Sequence, residues 1–200
     1  MDVTLYDPST ALIVVDLQND FADPEGTLSV ADGDALLPFV NVAIREARAA
    51  GALVAYTQDW HPAHTPHFAQ DGGVWPVHCV MDTWGAALHP DLTVAGPIVR
   101  NGSHGEDGYS GFSMRDPVSG ATVSTELEGL LRPRGIRRIV VCGLATDYCV
   151  AATALDAAAL GFETSVLLEG IRAVDLEPGD GARALEGLAD AGVTLVEAAP

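Results

Sequence analysis

Lysine is absent from this chain of 200 residues: all ten cationic side chains are arginines, set against 28 carboxylates, for a formal charge of −18 at pH 7. Nucleic acids and anionic membranes are held by neutralising phosphates with cations, so a chain this acidic excludes both as partners. Cysteine is scarce and odd in number, with three residues. That count argues against a disulfide framework and for a reducing compartment, so the expected location is cytoplasmic. No uninterrupted apolar run approaches the length of a membrane span, and the segment beginning Met1-Asp2-Val3-Thr4 lacks the basic and apolar regions of a signal peptide. Repeats, low-complexity tracts and linkers are also missing. The expectation is one domain over residues 1–200, long enough to bury a sizeable core.

What is present is an alternation of apolar β-rich runs with helical patterns, the signature of an α/β fold with a parallel sheet wrapped by helices. Residues 11–15, Ala-Leu-Ile-Val-Val, read as a strand covered on both faces. Residues 34–50 place Leu36, Val40, Ala43, Ile44 and Ala47 at helical spacing, closed by Gly51. Further strands are expected at 53–57, 98–100, 136–142, 164–168 and 193–196, and further helices at 124–131, 146–160 and 181–191. Two long irregular stretches, 59–97 and 101–122, follow strand ends, where open α/β sheets place their sites.

Chemistry concentrates at those ends. Asp16 closes the first strand in Asp16-Leu17-Gln18-Asn19-Asp20-Phe21; it reads either as a turn-former or as a base, whereas Asp20 reads as a loop hydrogen-bonder. Asp59 and His61, two apart at a strand end, point the same way. With His67 and His78 they form a mixed carboxylate–imidazole set suited to one divalent ion, Zn, Fe or Mn. Four of the six histidines fall in residues 61–78, and His64 competes with His67 for a ligand role. His89 and His104 read as surface residues. Phe21, Trp60, Trp75 and Tyr109 sit in the same loops, as sheet-edge cover or as walls for a flat substrate.

The segment Gly143-Leu144-Ala145-Thr146-Asp147-Tyr148-Cys149-Val150 reads as strand, tight turn and helix start, with Thr146 as N-cap. Cys149 then lies in a first helical turn, where the dipole is expected to lower its thiol pKa and make it a nucleophile; the alternative is a small buried hydrophobe. Cys79 and Cys142 read as packed thiols.

Five of these motifs together resemble nicotinamidases, members of the isochorismatase-like cysteine hydrolases: Asp16-Leu17-Gln18-Asn19-Asp20-Phe21, Asp59-Trp60-His61-Pro62, Trp75-Pro76-Val77-His78-Cys79, Tyr109-Ser110-Gly111-Phe112 and the Cys149 segment. The resemblance spans nearly the whole chain in the family's order. It implies a three-layer α-β-α fold around a six-stranded parallel sheet. It implies a Cys149 nucleophile, Asp16 as proton carrier, a metal on Asp59, His61, His78 and, in some members, His67, and a ring held between Phe21 and Trp75. It also implies a cis peptide between Leu144 and Ala145, with the N–H groups of Ala145 and Cys149 as an oxyanion hole. Members of the family are often oligomeric, so a homo-oligomer is a further implication. One position departs: the family's third catalytic residue is a lysine in a Lys-Gly pair, and this chain has Asn101-Gly102, with Arg100 one residue before. A one-residue slip of the alignment puts Arg100 at the lysine position instead; arginine is bulkier and keeps its proton, so it is not an equivalent replacement, while a neutral Asn101 lets both anions' pKa values drift upward.

The expected activity is metal-dependent hydrolysis of nicotinamide to nicotinate and ammonia through a Cys149 thioester. The alternatives are a related hydrolase acting on another small amide, such as a carbamoyl or maleamate compound, and a binding form silenced by Asn101.

Overall fold

The computed structural model describes residues 5–197. In chain order the elements are β1 (Thr10–Val15), α1 (Asn19–Ala22), α2 (Leu37–Ala49), β2 (Leu53–Asp59), β3 (Ile98–Asn101), β4 (Ser113–Arg115), β5 (Thr122–Ser124), α3 (Leu127–Leu131), β6 (Arg138–Leu144), α4 (Ala151–Ala159), β7 (Glu163–Arg172), α5 (Asp180–Asp190) and β8 (Thr194–Val196). Six strands form one parallel sheet in the order β3-β2-β1-β6-β7-β8, while β4 and β5 pair as a separate antiparallel hairpin. Among the described residues no helix is long and apolar enough to cross a membrane.

Strand alternation builds the three layers. On β1, Leu12 and Val14 face one side, where they pack with Leu37, Val40, Ile44 and Ala47 of α2. Ala11, Ile13 and Val15 face the other, packing with Leu127 and Leu131 of α3, Ala154 and Ala157 of α4, and Leu188 of α5. All six β1 residues are buried, which accounts for the unbroken apolar run. Burying a Leu- or Ile-sized side chain in such a layer contributes about 1.5–3 kcal/mol.

Several expected boundaries move. Pro38 opens α2, so the turn at Asp34–Leu36 before it is 3₁₀ rather than α-helical. The helix expected from residue 124 begins at Leu127, because Ser124 pairs with Ser113 in the β4–β5 hairpin. That hairpin lies partly inside the stretch read as irregular. β2 and β3 run further than expected, to Asp59 and Asn101, which pair in register. The two residues are thereby fixed by a sheet ladder rather than held on loops.

The sheet order reverses beside β1: β2 and β3 extend to one side, β6, β7 and β8 to the other. The crevice at the carboxyl ends of β1 and β6 is the switch point where such sheets bind ligands. Gly143 allows the close approach there. Its φ is 121°, and a Cβ would lie 2.0 Å from the Val15 carbonyl oxygen. Any side chain at residue 143 would push β6 away from β1, and with it Cys149 from Asp16.

Candidate active site

Asp16 leaves β1 with φ at 47°, an uncommon value for a residue other than glycine and one that aspartate tolerates better than most. The turn is clamped by Thr57 of β2. Its hydroxyl donates to Asp16 Oδ1 at 2.6 Å and accepts the Asp16 N–H at 3.2 Å. The Asp16 carboxyl and the Cys149 thiol lie close enough to shift each other's protonation. Both residues are buried, at 1% and 8% exposure. Nothing in the sequence singled out Thr57; only the parallel pairing of β1 with β2 brings it to Asp16.

Cys149 sits where the chain turns from β6 into α4, as expected, but the turn is of another kind. Residues Thr146–Val150 form a single π-type turn, with the Val150 N–H bonding the Ala145 carbonyl at 3.0 Å. Ala145, not Thr146, takes the cap position, and no side chain caps the turn. The peptide between Leu144 and Ala145 is cis. The expected lowering of the thiol pKa is not found: burial, then the Asp16 and Asp59 carboxylates, push the Cys149 thiol well above its ordinary value. Desolvation and two anions outweigh a dipole worth about 0.3–1 kcal/mol at a helix end. The resting pair is therefore a thiol beside a carboxyl group. Burial and the Asp59 anion hold that carboxyl far above the usual carboxylate range.

The second constellation lies beside the first. Ligand atoms of His61, His67 and His78 all fall within 4.8 Å of one another, and all three residues are buried. Asp59 Oδ2 faces His61 Nε2 at 3.4 Å and His78 Nε2 at 3.9 Å. Outer partners orient two of the rings. His67 Nδ1 bonds Asp107 Oδ1 at 2.7 Å, and His78 Nδ1 bonds the Pro76 carbonyl at 2.7 Å. In each ring the partner fixes the proton on Nδ1, which leaves Nε2 with a lone pair. Both His61 nitrogens are buried without a hydrogen-bond partner. Three convergent imidazoles, one of them orphaned, and a shared carboxylate fit a divalent ion. The ionised Asp59 carboxyl is stabilised below its ordinary pKa by the imidazoles of His61, His78 and His67, against an opposing burial effect. His78 is pushed down, chiefly by burial.

His64 is outside the cluster. It is exposed and pairs with Asp71 at 3.2 Å, which leaves His67 as the third imidazole. Gly102, with φ at 78°, passes over His61, where a Cβ would lie 2.5 Å from Nδ1. His104 is exposed, as expected, but His89 is not a surface residue: it is 7% exposed, with Nε2 3.8 Å from Asp23 Oδ2. Asp20 behaves as a loop hydrogen-bonder, accepting the Thr27 N–H at 3.0 Å and the Cys79 N–H at 2.7 Å. Cys79 and Cys142 are buried free thiols.

Between the constellations opens a largely apolar pocket. Phe21, Trp75, Tyr109, Leu144, Ala145 and Cys149 line it together with Asp59, His67 and His78. Trp75 Nε1 donates to the Tyr109 hydroxyl at 3.0 Å, and Tyr148 stands edge-on to Trp75 with centroids 5.1 Å apart. Sequence reasoning missed Tyr148 and Val174, which also line the pocket. Asp147 holds Val174 in place by accepting its N–H at 2.9 Å. It also missed Gln18, whose amide accepts the Asp59 N–H at 2.8 Å and donates to the Asp59 carbonyl at 2.7 Å.

Residues 100 and 101 point to opposite faces of β3. Arg100 donates to Gln58 Oε1 at 3.0 Å and lies 3.8 Å over the Trp60 ring, so its charge serves the sheet edge. Asn101 is buried, with Nδ2 donating to Asp59 Oδ1 at 2.7 Å and Oδ1 left without a partner.

Fold and site define a class first: a three-layer α-β-α protein with a buried cysteine–aspartate pair and a metal-type histidine cluster at the switch point of a parallel sheet. Residues 10–200 match the isochorismatase domain. The chain belongs to the isochorismatase family. It is 38% identical to the nicotinamidase of Escherichia coli over 94% of both chains. It is also 38% identical to the nicotinamidase/pyrazinamidase of Mycobacterium tuberculosis, over 93% of this chain and 97% of that one. Among solved structures, a pyrazinamidase of Pyrococcus horikoshii in complex with zinc superposes with a TM-score of 0.84 at 41% identity, covering 96% of this chain and all of that one. PnC1 from L. infantum, in complex with nicotinate, gives a TM-score of 0.88 at 38% identity, covering 98% and 96%. The chain is thus a nicotinamidase-like hydrolase in sequence and fold.

Proposed function

We propose that the protein hydrolyses nicotinamide, or a pyridine carboxamide of that size, to the carboxylate and ammonia through a thioester on Cys149. The observation that carries this reading is the buried, mutually interacting Asp16–Cys149 pair at an aromatic pocket flanked by the Asp59, His61, His67 and His78 set. The nicotinate complex and the zinc complex of the two similar structures support the choice of ligand and ion.

Phe21 and Trp75 hold the ring between them. Asp16, as carboxylate, takes the thiol proton while the Cys149 sulfur attacks the carboxamide carbon. The C–S bond forms and the carbonyl electron pair moves to oxygen, where the N–H groups of Ala145 and Cys149 receive it. On collapse the C–N bond breaks, and Asp16 returns its proton to the departing ammonia. Water then attacks the thioester, Asp16 accepts its proton, and the C–S bond breaks to release the acid. Asp59, His61, His67 and His78 would hold a divalent ion, which would supply Lewis-acid character beside the ring site. The protein works without nucleic acid or membrane partners, in a reducing compartment, and it is compatible with assembly into a homo-oligomer.

The test is release of ammonia and nicotinate from nicotinamide by zinc-loaded protein, beside a maleamate amide and an N-carbamoyl compound. The expected result is a kcat/KM for nicotinamide at least about 100-fold above either comparator, since one well-fitted ring contributes several kcal/mol of selective binding. Turnover of a comparator without nicotinamide turnover overturns the reading. The neutral Asn101 favours a second one, in which nicotinamide binds without hydrolysis. Quenching of tryptophan fluorescence with no ammonia release would establish it.

The wall residue Trp75 gives a milder prediction. Trp75→Ala removes one face of the ring site and the donor to Tyr109. KM is expected to rise roughly 10- to 100-fold with kcat changed far less, as ring stacking and burial contribute about 1–3 kcal/mol. A kcat defect with unchanged KM would place Trp75 outside the ring site.

A further inference from the structure

We propose that Asn101 is a positioning residue for the metal site. By clamping the outer oxygen of Asp59, its side-chain amide turns the other oxygen toward the imidazoles. The inference rests on the proposed metal site.

The geometry separates the two oxygens of Asp59. Oδ1 accepts the Asn101 amide at 2.7 Å, and Oδ2 faces His61 Nε2 and His78 Nε2. The clamp is rigid because the two residues are register partners on β2 and β3, and both are about 95% buried. From the other side Gln18 holds the Asp59 main chain through its N–H and carbonyl. A carboxylate fixed at backbone and at one oxygen presents the other oxygen in a single direction. Outer partners of this kind typically change metal affinity by about 10- to 100-fold when removed.

The amide is also oriented. Only Nδ2 can donate, so Nδ2 must face the Asp59 carboxylate, and Oδ1 is thereby turned where no protein donor meets it. The buried orphan carbonyl is a consequence of the clamp. Among the described residues no other side chain hydrogen-bonds Asp59 Oδ1, and the neighbouring cation, Arg100, is engaged at the opposite face with Gln58 and Trp60.

The experiment is a double-mutant cycle read by zinc affinity, using a competing chromophoric chelator and no amide substrate. The four proteins are the parent, Asn101→Ala, Asp59→Ala and the double variant, each also melted in its metal-free form. Asn101→Ala is expected to weaken zinc about 10-fold or more in the parent background and by less than about twofold in the Asp59→Ala background, because its effect passes through Asp59. Equal loss in both backgrounds, or no loss in the parent, overturns the inference. If Asn101→Ala does not fold, Asn101→Leu replaces it, keeping the volume without the donor, and the same two outcomes decide. Absence of zinc binding by the folded parent overturns the metal site itself, a result distinct from zinc binding that Asn101→Ala leaves unchanged.

Discussion

Cys149→Ala is expected to lower kcat/KM for nicotinamide by on the order of 10⁴-fold or more, while the ligand still binds in the ring site. The size follows from what remains. In the proposed site Phe21, Trp75 and the imidazole cluster still hold the ring, but the path through a thioester is closed. Direct attack by water would then need a nucleophile positioned where the sulfur was. The thiol's environment explains why no other group can stand in. Burial, with the Asp16 and Asp59 carboxyl groups nearby, pushes the thiol pKa well up, so in the proposed mechanism the reactive anion forms as Asp16 takes the proton. Cys79 is buried without exposure to the pocket and carries a thiol raised in the same sense, which removes it as a substitute. The check is single-turnover kinetics with ammonia as the readout, beside a binding titration. A residual rate within tenfold of the parent would show that the chemistry does not pass through Cys149.

Much of this was legible before any coordinates. β1 announced itself because a strand covered on both faces has no polar alternation to confuse it. Asp16, Asp59 and Cys149 could be found because polar groups at the ends of such strands have little packing reason to be there. The residues that escaped are those whose role exists only across strands or loops. Thr57 is an unremarkable β-branched residue until β1 and β2 pair. Asp107 lies 40 residues from the His67 it orients, and Gln18 lies 41 from Asp59. The error over the Cys149 pKa has a single cause: a helix-start pattern gives the sign of the dipole, whereas burial and the neighbouring Asp16 and Asp59 appear only in the folded chain. The same limit applied to Asn101. Strand alternation settles that Arg100 faces away, but only once β3 is known to reach residue 101.

Asp16→Asn is expected to lower kcat/KM by roughly 10²- to 10⁴-fold, the usual share of a positioned proton carrier. The packing should tolerate it. Asparagine also tolerates a positive φ, and its Oδ1 can keep the Thr57 hydroxyl bond. What disappears is the ability to take the thiol proton. The parent's pH profile carries the same signature. In the proposed mechanism the carboxylate is the active form, and burial raises its pKa, so kcat/KM is expected to fall on the acid side above the range of an ordinary carboxylate. Asp16→Asn removes that limb along with most of the rate. Stability moves the other way. A carboxyl that binds its proton more tightly folded than unfolded destabilises the native state as pH rises from the ordinary carboxylate pKa toward the raised one. The metal-free Asp16→Asn protein should therefore melt higher than the metal-free parent above neutral pH, and the gap should close near pH 4. Melting curves at the two pH values, set beside the rate loss, decide the matter. A lost rate with no gain in Tm at high pH would mean that the Asp16 carboxylate is already stabilised in the resting fold, with no upward shift to relieve.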